Sequence, residues 1–146
     1  MSILVDTNIL LRRVQPDHAH HALAIESVAR LLSSGESVHF AFQNISEFWN
    51  VMTRPVAVNG LGFSPAFAMS EVGKIERVLT LLPDTPAAYE EWKRLVSTHG
   101  VSGAKVHDAR LVAIMVVHGV RRLLTFNIGD FARFEIDAIH PSTIVV

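Results

Sequence analysis

The chain has 146 residues, 49% of them hydrophobic, with a formal net charge of −1 and a pI near 6.7. This length and composition predict one domain, residues 1–146, with a substantial core, and the charge excludes a broadly basic surface for nucleic acid although a local basic cluster stays open. The lack of cysteine excludes disulfides and thiol catalysis, and the lack of a signal peptide pattern or an apolar run of ~20 residues predicts a cytoplasmic protein that does not enter membranes.

The first strand and helix are predicted from apolar runs and turn residues. Ile3 to Val5 predicts a short buried strand. Residues 9–16 continue from apolar positions into a turn. Asp17 is expected to cap a helix that reaches about Ser34, and Gly35 is expected to end it.

The middle of the chain continues the alternation of strands and helices. Val38 to Phe42 predicts a second strand, and Asn44 to Thr53 a second helix. Residues 54–62 form the one long loop, which is expected to be mobile or an oligomer contact. Ser64, followed by proline, is expected to cap a third helix, and Leu81-Leu82 predicts a short third strand.

The last third of the chain repeats this pattern. Thr85 is expected to cap a helix that ends at Gly100, with Tyr89 and Trp92 facing inward. A largely apolar helix is predicted over 111–117, with Gly119 as its end. A strand over 123–125, a turn over 127–130 and an edge strand over 144–146 complete the chain. Strands that alternate with helices predict a parallel sheet in an α/β sandwich.

Four acidic residues lie at predicted strand ends or helix starts: Asp6, Glu47, Asp108 and Asp130. Because parallel strands share one carboxyl edge, where the following helices begin, these carboxylates are expected to converge. Converging carboxylates without an equal number of cations would raise one another's pKa values and destabilise the fold. A divalent cation is the usual resolution, and Mg²⁺ prefers oxygen ligands, activates water and stabilises charge on a phosphoryl group.

Each acid alone also fits an ordinary structural role. Asp6 could form the turn after the first strand, and Glu47 could close a capping box with Asn44. Asp108 could stabilise the first turn of its helix, and Asp130 could form an Asx-turn. Their convergence at one edge favours the catalytic interpretation over these separate ones.

Neutral polar side chains near the acids could support such a site. Asn8 is the first candidate, as a donor that holds Asp6 or a water on the metal. Similar roles are open to Ser46, Thr125 and Asn127. An ordinary role in a turn or a helix cap stays open for each of them.

Four motifs in this order resemble a PIN-domain ribonuclease: Val5-Asp6-Thr7-Asn8 near the start, Glu47 in the second helix, His107-Asp108-Ala109 at a late helix start, and Thr125 to Phe131 after a late strand. Within that family, the length and spacing resemble a VapC-type toxin of a bacterial toxin–antitoxin pair. The resemblance implies a three-layer α/β/α sandwich with a mostly parallel sheet of about five strands. It also implies Mg²⁺- or Mn²⁺-dependent RNA cleavage, a homodimer and a small antitoxin that blocks the site.

By position, the resemblance makes Asp6, Asp108 and Glu47 metal ligands and catalytic residues. Many relatives carry an acid where Asn127 stands here, which leaves the fourth acidic role to Asp130 or leaves it partly unfilled. Basic residues near the motifs are candidate contacts to RNA phosphates, namely Arg12, Arg13, Arg54, Lys105 and Arg110.

The sequence therefore predicts a metal-dependent endoribonuclease that acts as the toxin of a toxin–antitoxin pair. A non-catalytic module of the same fold, which uses the sheet edge to bind RNA or a protein, is an alternative. An aspartate-nucleophile phosphotransferase is a weaker alternative, because Asn8 stands where that class carries a second aspartate. The remaining polar cluster, His18, His20 and His21, is expected to be solvated.

Overall fold

The computed structural model describes residues Met1–Val146. Its strands are β1 (Ser2–Val5), β2 (Ser37–Ala41), β3 (Thr80–Leu82), β4 (Arg122–Leu124) and β5 (Asp137–Ile139). They form one sheet in the order β3-β2-β1-β4-β5, and every neighbouring pair is parallel. This confirms the predicted α/β class, and it places the carboxyl ends of all the strands at one edge.

The helices are α1 (Thr7–Arg13), α2 (His21–Ser33), α3 (Phe42–Thr53), α4 (Pro65–Val78), α5 (Pro86–Thr98), α6 (Val106–Val117) and α7 (Pro141–Ile144). Short 3₁₀ turns occupy Val56–Val58, Gly103–Lys105 and Ile128–Phe131. None of the helices combines the length and the apolar character that crossing a membrane requires.

The central strand β1 separates two hydrophobic cores. Ile3 and Val5 contribute to one core and Leu4 to the other, because successive side chains of a strand point to opposite faces. All three side chains are fully buried. Helices α1 to α4 pack on the first face, and α5 and α6 pack on the second. The result is a three-layer α/β/α sandwich, and its central strand leads directly into Asp6.

The predicted starts of α4 and α5 are confirmed in detail. The Ser64 hydroxyl accepts a hydrogen bond from Phe67 N at 3.1 Å, and the Thr85 hydroxyl accepts one from Ala88 N at 3.3 Å. Each cap is followed by proline at the first helical position, where a missing N–H costs nothing. Gly119 follows α6 with φ +70°, a conformation that favours glycine.

Three element predictions are wrong. Residues 7–13 form a helix rather than the approach to a turn, because Asp6 caps them and consecutive apolar side chains are buried by neighbours on several sides. Asp17 caps nothing, since α2 begins at His21. Residues 144–146 form no strand, because Pro141 starts α7 and the edge position is filled by the less apolar β5.

Two further expectations change with the packing. Tyr89 is 59% exposed instead of inward, because α5 buries Ala88 and Leu95. The loop over residues 54–62 is tied to α3 by backbone hydrogen bonds, including Leu61 N to Val51 O at 2.8 Å. This bonding argues against a mobile loop, and a role of the loop as an oligomer contact stays a prediction.

Candidate active site

Asp6 lies at the carboxyl end of β1 and is the N-cap of α1. Its Oδ1 accepts a hydrogen bond from Thr7 N, the first backbone donor of α1, at 2.8 Å. Its Oδ2 accepts a hydrogen bond from the Thr125 hydroxyl at 2.8 Å and one from Asn8 Nδ2 at 3.4 Å. Both oxygens are therefore held by donors, and one of those donors comes from the neighbouring strand β4.

The environment of Asp6 disfavours its negative charge. Burial raises the pKa of Asp6 to about 6, and the hydrogen bonds from Thr125 and Thr7 offset only part of this effect. The nearby carboxylates of Glu47 and Asp108 raise the pKa further. Burial is therefore the main reason that the pKa of Asp6 stays high despite two good donors, and the neighbouring carboxylates add to it.

Hydrogen bonds link Glu47, on α3, to the start of α1, where Asp6 lies. Its Oε1 accepts a hydrogen bond from the Thr7 hydroxyl at 2.7 Å, and that hydroxyl accepts one from Asn44 Nδ2 at 3.2 Å. Asn44 Oδ1 in turn accepts a hydrogen bond from Ala41 N at 2.8 Å. Asn44 therefore caps α3, and Glu47 does not serve as the capping residue but is oriented toward Asp6.

Asp108 lies in the first turn of α6, and Asp130 lies in the 3₁₀ turn after β4. Lys105 Nζ lies 2.9 Å from Asp130 Oδ1 and 3.7 Å from Asp108 Oδ2, so it pairs with both. Burial raises the pKa of Asp108, Lys105 opposes that rise, and the charges of Asp130 and Glu47 add to it. Asp108 is thus close enough to Asp6, Glu47 and Asp130 for their charges to interact.

The predicted supporting residues differ in what they contact. Asn8 Nδ2 donates to Thr125 Oγ at 3.2 Å, and Asn8 Oδ1 accepts from Phe126 N at 3.3 Å. The fully buried Thr125 hydroxyl also accepts from Asn127 N at 3.0 Å. Asn127 therefore contributes only its backbone N–H to this group of hydrogen bonds, since its side chain is exposed. Ser46 is exposed on α3 and takes no part in these hydrogen bonds.

Three residues that orient the acids were missed as supports in the sequence: Thr7, Asn44 and Lys105. Thr7 stands inside the Asp-Thr-Asn triplet, which was a usable signal. Asn44 stands three residues after the last residue of β2, where a capping amide is common. Lys105 was predicted to contact phosphate, and its pairing with two acids had no signal in the sequence.

The carboxylate oxygens of the site are the kind of ligand that a hard cation prefers, but they are too far apart in this structure to surround an ion. No three or more His, Asp and Glu side chains approach closely enough to hold an ion in this arrangement. Asp6, Glu47 and Asp108 nevertheless supply only oxygen ligands, and the negative charge of Glu47 contributes to the raised pKa values of Asp6 and Asp108. Glu47 and Asp108 are partly exposed, so modest side-chain rotations are open to them.

The basic residues predicted to contact phosphate are engaged elsewhere. Arg12 donates to Gln15 Oε1 at 2.7 Å, Arg13 to Glu71 Oε2 at 3.3 Å and Arg54 to Asn59 O at 2.9 Å. Arg110 pairs with Asp84 at 3.1 Å, beside a cavity of about 390 Å³ that Tyr89 and Trp92 also line. Of the basic candidates, Lys105 alone forms an ion pair with the site acids.

Comparison with solved structures finds the same fold in toxin–antitoxin proteins. VapBC2 from Rickettsia felis, bound to a DNA fragment from their promoter, is 13% identical with a TM-score of 0.70 and covers 96% of this chain and 98% of that chain. VapBC-1 from nontypeable Haemophilus influenzae is 13% identical with a TM-score of 0.71, covering 97% and 99%. VapC20 from Mycobacterium tuberculosis, a sarcin–ricin loop cleaving toxin, is 20% identical with a TM-score of 0.58, covering 83% and 86%.

The family itself is shown by sequence rather than by these distant structures. No curated protein sequence matches the chain. The family model of the PIN domain matches residues 3–136, which include all four acids and the first four strands apart from Ser2, and the match ends just before β5. The chain belongs to the PIN domain family.

Proposed function

We propose that this chain is a metal-dependent endoribonuclease and the toxin of a toxin–antitoxin pair. The observation that carries the proposal is the state of Asp6 at the end of the central strand. Burial and the nearby charges of Glu47 and Asp108 keep its pKa at about 6 despite donors on both oxygens. Membership of the PIN domain family and the similarity to VapC20, which cleaves an RNA loop, support the same conclusion.

Three side chains would hold the cation: Asp6, Asp108 and Glu47, with Asp130 as the fourth acid. Their oxygen donors suit Mg²⁺, and Mn²⁺ is an alternative. When bound, such an ion lowers the pKa of water and offsets negative charge on a phosphoryl group. The position equivalent to the missing family acid is Asn127, so Asp130 takes the fourth role only by reaching from the 3₁₀ turn.

The protein's own contribution is orientation. Thr125 and Asn8 hold one oxygen of Asp6, and Thr7 holds Glu47, so neither carboxylate has to order itself when RNA binds. In the proposed reaction, water adds to the phosphorus, the bond from phosphorus to O3′ breaks, and O3′ takes up a proton. The products are a 3′-hydroxyl and a 5′-phosphate, and no histidine or serine nucleophile takes part.

The proposed partners are RNA, a second copy of the chain and a cognate antitoxin, in the cytoplasm. The similarity to the VapBC structures supports the antitoxin. Because the net charge is only −1, RNA affinity has to come from a local patch or from a groove between two copies. We therefore expect RNA binding to weaken as salt is added.

The test measures cleavage of total cellular RNA with Mg²⁺, with Mn²⁺ and with EDTA, for the wild-type chain and for Asp6→Asn and Asp108→Asn. We expect cleavage to fall at least about hundredfold with EDTA and in each variant. Calorimetric titration with Mg²⁺ supplies a readout that does not depend on activity. Cleavage that survives chelation and both substitutions would contradict the proposal.

Two observations favour a second candidate, a non-catalytic RNA- or protein-binding module of the same fold. The acids form no closed group able to hold an ion, and Asn127 stands where many relatives carry an acid. An intact fold that binds RNA without cleaving it and shows no Mg²⁺ binding by calorimetry would favour this candidate over the nuclease.

A further inference from the structure

Four aromatic rings gather beside the candidate active site, and we call them the ring cluster: His18, His20, Phe126 and His140. The rings of His20 and Phe126 are stacked, with centroids 4.3 Å apart and planes 6° apart. The His18 ring lies 5.4 Å from that of His20, and the His140 ring lies 5.4 Å from that of Phe126. The expectation of a merely solvated histidine cluster is therefore wrong, because His20 packs on a ring from a distant part of the chain.

The ring cluster is joined directly to the acids. Phe126 follows Thr125, whose hydroxyl donates to Asp6, and the Phe126 backbone N–H donates to Asn8. His140 directly follows β5, which pairs with β4. Phe126 therefore lies at the carboxyl edge of the sheet, one residue beyond Thr125, and its ring contacts place His20 and His140 beside it.

The ring cluster is open to a ligand. All four rings are partly exposed. Aromatic and imidazole rings stack the unpaired bases of single-stranded RNA.

We infer that the ring cluster is a stacking platform for an unpaired base of the RNA substrate, next to the phosphate that is cleaved. The inference rests on the proposed function, since it assigns a contact of the same substrate. Stacking needs no net positive charge and tolerates any base, which suits a chain with a charge of −1 and an acidic site. A base stacked on the outside of the His20–Phe126 pair would orient the adjoining phosphate toward Asp6.

The experiment separates KM from kcat in RNA cleavage for His20→Ala, His20→Phe and a matched control, His99→Ala. The His99 ring also packs on a phenylalanine, Phe134, with centroids 5.3 Å apart, but it lies outside the ring cluster at the end of α5. We expect His20→Ala to raise KM about tenfold with kcat within about twofold of wild type. His20→Phe should restore KM, and His99→Ala should leave both constants unchanged.

A second readout removes the base instead of the ring. A set of RNA oligonucleotides carries one abasic nucleotide at each position next to the cleavage site. One of them should raise the KM of the wild-type chain about tenfold and have no further effect in His20→Ala, because both changes remove the same contact. A purely structural role of His20 would not produce this dependence.

The outcomes are distinct. An unchanged KM in His20→Ala overturns the platform, whether or not kcat and Tm fall. Weaker self-association with KM unchanged would assign the rings to a protein contact and also overturns it. Failure of the wild-type chain to cleave any RNA overturns the proposed function instead. Fluorescence anisotropy of a labelled oligonucleotide then decides: about tenfold weaker binding by His20→Ala supports the platform, and equal binding overturns it.

Discussion

The Thr125 hydroxyl donates to Asp6 Oδ2 at 2.8 Å and thereby links the ends of two neighbouring parallel strands. The same hydroxyl accepts hydrogen bonds from Asn8 Nδ2 and from Asn127 N. One fully buried oxygen therefore sets the orientation of the central carboxylate and of the loop that follows β4.

Thr125→Val is expected to harm both stability and cleavage. Valine has nearly the same shape but leaves the two donors and the Asp6 oxygen without their partner, which should cost about 1–3 kcal/mol in the free energy of unfolding. The pKa of Asp6 should rise further, because a hydrogen bond that lowers it is gone. Denaturant unfolding and RNA cleavage measure the two effects. Thr125→Ser keeps the hydroxyl and should retain most activity, and a fully active Thr125→Val would contradict this role.

The raised pKa of Asp6 predicts how stability depends on pH. The pKa is about 6 in the folded chain against 3.8 in the unfolded one, so the folded state binds the proton more tightly. The resulting stabilisation is complete below pH 3.8 and is lost as the pH rises through about 6. Asp6→Asn, which stays neutral, should therefore be more stable than wild type by about 3 kcal/mol at pH 8 without divalent ions.

Thermal unfolding of wild type and Asp6→Asn between pH 3.5 and pH 8 checks this prediction at roughly half-unit steps. The difference in Tm should close as the pH falls below the unfolded-state pKa. Asp17→Asn is the control, because Asp17 is an exposed carboxylate in the loop before α2. A wild-type chain that is the more stable of the two at pH 8 would contradict the prediction.

Gly60 is predicted to be irreplaceable for reasons of space. A Cβ at this position would lie 1.8 Å from the carbonyl oxygen of Arg54, a backbone atom that cannot move aside. Gly60→Ala should lower the free energy of unfolding by about 3 kcal/mol, through displacement of the loop from the end of α3. Gly73→Ala is the matched control, because nothing lies within 4 Å of its Cβ position inside α4. The control should gain up to about 1 kcal/mol by denaturant unfolding, and equal effects of the two substitutions would refute the argument.

The sequence predicts helices best where a periodic apolar pattern is preceded by an N-cap residue. Ser64-Pro65 and Thr85-Pro86 mark helix starts that the structure reproduces. Helix α1 was missed because Ile9, Leu10 and Leu11 are three consecutive apolar residues that are all buried, so this short segment shows no clear apolar period. The last strand, Asp137–Ile139, was missed because a three-residue edge strand with a charged first residue has no clear alternation.

The sequence predicts the positions of the acids better than it predicts the residues that form hydrogen bonds and ion pairs with them. Asp6 and Asp108 follow from the rule that parallel strands share a carboxyl edge. The bond from Thr7 to Glu47 joins residues 40 positions apart, and the pair between Lys105 and Asp130 joins residues 25 positions apart. Such partners depend on how α1, α3 and the loops pack, which no local pattern in the sequence encodes.

Lys105 lies beside Asp108 and Asp130 and should compete with a divalent cation for them. Lys105→Met removes a positive charge from the acidic edge, so we expect Mg²⁺ to bind about threefold more tightly by calorimetry at low salt. Lys74→Met is the matched control, because Lys74 pairs with Glu71 across the same i,i+3 spacing on α4. The control should leave Mg²⁺ affinity unchanged.

The same substitution separates two roles of the lysine. If Lys105 also contacts RNA phosphate, Lys105→Met should raise the KM for RNA and flatten its dependence on salt while Mg²⁺ affinity increases. Tighter binding of Mg²⁺ together with weaker binding of RNA would mean that the Lys105 ammonium lies between the two carboxylates and the bound RNA. Mg²⁺ binding that weakens in Lys105→Met would show instead that the lysine holds the acids in their binding arrangement, and it would contradict competition.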